Sequence, residues 1–187
     1  MIRQRFSELS IAVVRCIEVM RVVRQLAEIP QAVLKLLGQA ACSERAIYWT
    51  VDPVASQPQA SASWGAPSTQ APTSDWDIRY RAASLSQGHV GRVWRSGRPL
   101  WSASFVLDTA VPSATEAGPL GAVWFAVKTD STVYAVIELL GRALEPNPPN
   151  NLVLIEQLGY RLGYGLEELC YGSPGGRLPW KSPGADP

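Results

Sequence analysis

The chain predicts an α+β fold, one sheet with helices and a large loop on one side that is placed to cover a pocket. Three observations carry this. Gln87 to Trp101 reads Gln-Gly-His-Val-Gly-Arg-Val-Trp-Arg-Ser-Gly-Arg-Pro-Leu-Trp, a glycine-punctuated short helix leading into a strand. Two apolar runs, Gly121 to Val127 and Thr132 to Leu140, flank the polar turn Lys128 to Ser131 and form a hairpin. Long segments of helical period stand near both ends of the chain.

Size and composition bound the rest. The 187 residues suit one domain with helical or flexible extensions, and an apolar share of 47% suffices for a real core. A net charge of +1 removes any bulk electrostatic case for nucleic acid or anionic lipid. The cysteines Cys16, Cys42 and Cys170 are odd in number and far apart, which predicts reduced thiols in a cytoplasmic protein, with Cys16 and Cys170 as small apolar core residues of helices. No apolar run reaches the roughly 18 residues of a membrane span, and the N-terminus lacks the uninterrupted apolar core of a secretory signal.

In chain order, Phe6 to Ile29 is predicted as one helix, with apolar residues at Phe6, Leu9, Val13, Cys16, Ile17, Met20, Val23, Leu26 and Ala27. Ile11, Val14, Val19 and Val22 widen the apolar surface beyond one stripe, and a helix with more than one apolar neighbour predicts a homodimer interface over residues 1–30. The arginines among them, interleaved with glutamates, read as a solvated face before they read as lipid contacts. Pro30 predicts a break there, followed by a second helix from Gln31 to Ala41. Arg45 to Val51 is the first strand and Ala60 to Gly65 a short strand paired with it. Asp75 to Leu85 is predicted helical with Ser74 as N-cap. Val90 to Ser96 is a short helix closed by Gly97 in the left-handed conformation, and Pro99 to Ala103 is a strand. In the last strand, Val133, Ala135, Ile137 and Leu139 alternate with Tyr134, Val136, Glu138 and Leu140, a pattern for a strand covered on both faces. Leu152 to Cys170 is the last helix; Gly159, Gly163 and Gly165 point to close packing on another helix, the N-terminal one. Residues 31–170 make the domain, and 171–187, rich in glycine and proline, a disordered tail.

The chemistry-bearing residues are few. His89, the single histidine, sits in a glycine-flanked loop; surface or packing duty is the plain reading, and proton transfer or haem ligation the sharp one. Gly88, Gly91 and Gly97 lack the Lys-Ser/Thr of a phosphate loop, so they serve turns and caps. Arg92, Arg95 and Arg98 are placed to meet an anion near a helix end, against the plainer reading of a solvated face. Among seven tryptophans, Trp94, Trp101 and Trp124 fall in or beside the core, while Trp64 and Trp76 are placed to line a pocket, against the plainer reading of core packing for each. Aromatic lining suits a planar or apolar small ligand. No Asp/Glu/His spacing supports a metal.

Gly88, Gly91, Arg92, Val93, Trp94, Gly97, Pro99 and Trp101 together match a Gly-x-x-Gly-Arg-Val-Trp-x-x-Gly-x-Pro-x-Trp run, and the chain resembles a GAF domain, closest to those of bacterial sensor histidine kinases and here standing alone. Asp108 in the following loop, Ala117 to Leu120, Val133 to Glu138 and Ile155 to Gly163 agree in order, so the resemblance covers about Gln31 to Leu169. It implies a central antiparallel sheet of about five or six strands, first and last helices packed on one face, a pocket loop on the other, and dimerisation through the helices. Departures narrow the function. Phe125-Ala126 stands where many relatives have Phe-Pro, and no kinase region follows. Bilin-binding members attach chromophore through a pocket cysteine, and none lies between Cys42 and Cys170, so covalent bilin is not expected. The same absence argues against the relatives that reduce free methionine sulfoxide with pocket cysteines, and the cyclic-nucleotide pattern Asn-Lys-x-Phe-Asp-Glu is missing. The expectation is a non-enzymatic regulatory module that binds a small molecule or a signalling partner, with no resident cofactor. Its ligand candidates are Trp64, Trp76, His89, Arg92, Trp94, Trp101, Asp108 and Trp124. The alternative is a scaffold protein whose pocket is filled by side chains.

Overall fold

In the computed structural model of the chain, the described residues are 2–23, 26–52, 57–66, 88–105, 120–142, 144 and 149–172. They form α1 (Ile2–Val22), a 3-10 turn (Leu26–Glu28), α2 (Ile29–Ala40), β1 (Arg45–Asp52), β2 (Gln57–Gly65), α3 (His89–Ser96), β3 (Leu100–Phe105), β4 (Leu120–Lys128), β5 (Val133–Gly141) and α4 (Pro149–Gly172). The five strands make one antiparallel sheet in the order β2-β1-β5-β4-β3. The α+β fold with a central antiparallel sheet is therefore as the sequence predicts.

The two faces of the sheet are covered unequally. On one, α1, α2 and α4 bury Val13, Cys16 and Met20, Val33, Leu34 and Leu37, and Leu158, Leu162 and Leu166 against Tyr48, Phe125 and Ile137. On the other, among the described residues, the eight-residue α3 lays Val90 and Val93 over Ile47, Trp49, Trp124 and Val136. Burial of this much apolar surface on both sides is the main stabilising term, at about 25 cal/mol per Å² removed from water.

Several expectations are corrected by packing. The first helix ends at Val22, not Ile29, and Pro30 lies in the first turn of α2, where a missing N–H costs nothing. β2 begins at Gln57 rather than Ala60, held to β1 over its length with a bulge between Tyr48 and Trp49. β3 runs on to Phe105. Strict alternation in β5 fails at its start: Val133 and Tyr134 face one β4 residue, Lys128, and this bulge turns Tyr134 to the helical face, where its hydroxyl donates to Glu167 at 2.9 Å. Lys128 belongs to β4 and is 7% exposed, not part of a solvated turn.

The glycines of α4 divide between two neighbours. A Cβ on Gly159 would stand 2.0 Å from the carbonyl oxygen of Ala126, and one on Gly163 2.0 Å from that of Lys128. These two, one helical turn apart, let the helix backbone rest on strand β4. Only Gly165 faces α1, at 3.3 Å from Ile17 and 3.8 Å from Met20. One turn further along both helices Arg21 pairs with Glu168 at 3.0 Å, so α1 and α4 lie side by side and advance in the same sense. The expected helix at Asp75 to Leu85 and most of the expected tail lie outside the described residues, although Tyr171 and Gly172 are still in α4.

Candidate functional site

The α3 face carries a polar cluster inside an apolar surface, and strand register builds it. Ile47 of β1 stands opposite Glu138 of β5, Glu138 opposite Trp124 of β4, and Trp124 opposite Leu100 of β3. A second row runs Ala60, Trp49, Val136 and Ala126. Directly opposed residues share a face with Cβ atoms about 5 Å apart. Trp124 is thus beside Glu138, and Trp49 is its diagonal neighbour.

Glu138 is 0% exposed, and a carboxylate so buried demands donors. The Trp124 indole N–H donates to its Oε1 at 2.7 Å and the Trp49 indole N–H to its Oε2 at 2.8 Å. One residue thereby meets the need of both buried indoles for an acceptor. His89, at the start of α3, lies flat on Trp124 with ring centroids 4.4 Å apart and planes 10° from parallel. Its imidazole is held below its ordinary value of 6.5, first by burial against the indole and then by the positive charge of Arg92. The result is a layered stack, exposed imidazole on buried indole, with the indole edge bound to a buried carboxylate.

Helix α3 places His89 through a compact frame. Val90 and Val93 anchor its inner side, Trp94 packs half-buried beside them, and Arg92, Arg95 and Arg98 are exposed. Gly97 closes the helix at φ 63°, as expected, with its N–H bonded to the Val93 carbonyl at 2.8 Å.

The sequence candidates separate into three groups. His89, Arg92, Trp94 and Trp124 come together on the α3 face. Trp64 and Trp101 do not join them. Trp64 packs over Gly38 of α2 and Trp101 against the helical core, because their register partners Ala46 and Val123 point that way. Trp76 and Asp108 lie outside the described residues. Two central residues were absent from the candidates, Trp49 and Glu138. Their signal was available: Glu138 is the single charged residue in the apolar run Val133 to Leu140, and a charge inside a strand covered on both faces must be matched by donors on neighbouring strands.

All three cysteines are away from this face. Cys16 and Cys170 are in the helical core, burial pushing the Cys16 thiol to about 12, and Cys42 is exposed after α2. Among the described residues, no group of three His, Cys, Asp or Glu is placed to hold a metal ion. No described helix is long and apolar enough to cross a membrane.

No protein-family model matches the chain, and no curated protein sequence does. Solved structures do. A GAF domain of nlh2 from A. aeolicus in an inactive state superposes with a TM-score of 0.59 at 15% identity, covering 86% of this chain and 96% of that one. The GAF domain of a phosphoenolpyruvate-protein phosphotransferase (ptsP) from Coxiella burnetii gives 0.62 at 12% identity, covering 89% and 98%. Free methionine-R-sulfoxide reductase from Neisseria meningitidis, in complex with its substrate, gives 0.61 at 11% identity, covering 90% and 92%. The chain has the GAF fold. At these identities the likeness is one of fold, and it does not separate GAF domains of histidine kinases from others.

Proposed function

We propose that this chain is a non-enzymatic regulatory module of GAF type, which receives a small molecule or a partner protein at the α3 face and signals through a homodimer of its terminal helices. The observation that carries it is the Trp49–Glu138–Trp124–His89 cluster, a hydrogen-bonded polar and aromatic floor beside α3. Floors with few fixed polar groups favour recognition of a planar ligand. The outer sides of the helices support the dimer: Ile11, Val14 and Val22 on α1 and Val153, Leu154 and Tyr164 on α4 are exposed, Val22 to 79%. One of the three solved structures is a reductase. The resemblance ties that activity to pocket thiols, and the placement of Cys16, Cys42 and Cys170 off the α3 face favours the regulatory reading.

Thermal-shift screening with nucleotides, tetrapyrroles and small metabolites tests the ligand. A ligand at about a hundred times its Kd stabilises by about 2.7 kcal/mol, which is about 5–10 °C in Tm for a domain of this size. The scaffold reading draws on His89, which already covers Trp124. It predicts no shift with any class, and that outcome removes the small-molecule version. The dimer is tested by sedimentation of Val14→Glu: the parent chain sediments as a dimer and the variant as a monomer, and a monomeric parent ends that part of the reading.

A further inference from the structure

Lys128 joins the two layers that the sheet keeps apart. It is the last residue of β4, its side chain 9% exposed. Its Nζ donates to the carbonyl oxygen of Gly97 at 2.7 Å, the capping residue of α3 on one side of the sheet. The same Nζ donates to Glu156 Oε1 at 2.6 Å, on α4 at the other side, and sits 4.4 Å from the centre of the Tyr160 ring, also on α4. A buried ammonium has few ways to be satisfied, and here carbonyl, carboxylate and aromatic face each take part. The backbone of Lys128 is held as well, since Gly163 of α4 rests on its carbonyl so closely that no Cβ fits between them. Gly97 is matched to this arrangement: its φ of 63° aims the carbonyl, and a Cβ there would stand 3.2 Å from Nζ.

We propose that Lys128 is a coupling residue through which α3 and α4 sense each other's position. The α3 cap cannot move along the sheet without stretching its bond to Nζ, and Nζ cannot follow without leaving Glu156 and Tyr160. A displacement on the α3 face is thereby delivered to the middle of α4, the helix that lies beside α1. Lys128 is a positioning residue, and the inference stands whether or not the α3 face takes a small ligand.

Amide hydrogen exchange on the full chain tests it without any ligand. Glu156→Gln alters α4 alone, on the far side of the sheet from α3. Coupling predicts that the Gly97 amide, bonded to Val93, exchanges about tenfold faster in this variant, the scale of weakening one hydrogen bond to a charged group. The Ile47 amide in β1 should stay within about twofold, which separates the effect from global loosening. Lys128→Met should speed Gly97 at least as much, and adding Glu156→Gln to it should change Gly97 no further. A wild-type Gly97 rate in Glu156→Gln, or effects of the two substitutions that multiply, overturns the coupling. If Lys128→Met does not fold, Glu156→Gln decides alone. Failure here leaves the ligand reading standing, and a failed ligand screen leaves the coupling standing.

Discussion

Replacing Glu138 by glutamine keeps the shape of the buried node and removes half its acceptors. Glu138 Oε1 and Oε2 each accept one indole N–H, from Trp124 and Trp49. A glutamine presents one carbonyl oxygen and one NH2, and turning the amide over only changes which indole is served. One buried indole N–H then faces a donor. Losing that bond at a buried donor costs about 1–3 kcal/mol, or about 3–10 °C in Tm for a chain of this size. Glu138→Leu removes both acceptors and should cost roughly twice as much. Trp49→Phe/Glu138→Gln should cost less than the sum of the single changes, because the two residues share one bond. Thermal unfolding by circular dichroism at pH 7 reads all five proteins: the parent, Glu138→Gln, Glu138→Leu, Trp49→Phe and the double variant. Glu138→Gln melting at or above the parent would refute the picture of a buried carboxyl group whose two oxygens serve the two indoles.

Gly163→Ala and Gly165→Ala should move in opposite directions. Both gain about 1 kcal/mol of helix propensity, but the first drives a methyl into the Lys128 carbonyl, at an overpacking cost of about 1–3 kcal/mol, while the second meets half-buried Ile17, which can turn aside, and Met20 at ordinary contact distance. Comparing the two melting temperatures checks this. His89 is the chain's one histidine, so a single imidazole NMR titration reports it. Its midpoint should lie below 6.5 and rise in Arg92→Gln. Since the folded value is depressed, the unfolded chain binds more protons in the window just below 6.5, and stability should fall as pH drops through it. Cys42 has φ 51°, a conformation costing a side chain about 1 kcal/mol, so Cys42→Gly should raise Tm. In the folded chain Cys42 should alkylate alone, the buried Cys16 and Cys170 reacting only on unfolding.

What could be read from the residues follows from how local each signal is. The hairpin of β4 and β5, the left-handed cap at Gly97 and the helical period of α4 are set within a few neighbouring residues, and they stand close to where the spacing puts them. Long-range choices were less legible. Whether Trp64 and Trp101 face the α3 side depends on register with β1 and β4, and a shift of one residue reverses the face. The bulge opposite Lys128, which turns Tyr134 over, leaves no mark in an unbroken apolar run. Gly159 and Gly163 announced a close approach, expected on the N-terminal helix, and a strand backbone proved to be the partner instead. Glu138 was visible as an odd charge, but its meaning needed two tryptophans on strands distant in the chain.

The shared heading of α1 and α4 has a mechanical consequence. Helices laid head to tail would return a disturbance to the end it came from. These two meet where Arg21 pairs with Glu168 and Gly165 seats against Ile17, and α4 alone spans about 36 Å at 1.5 Å per residue. A displacement handed to α4 through Lys128, as proposed above, would travel along the pair in that shared direction.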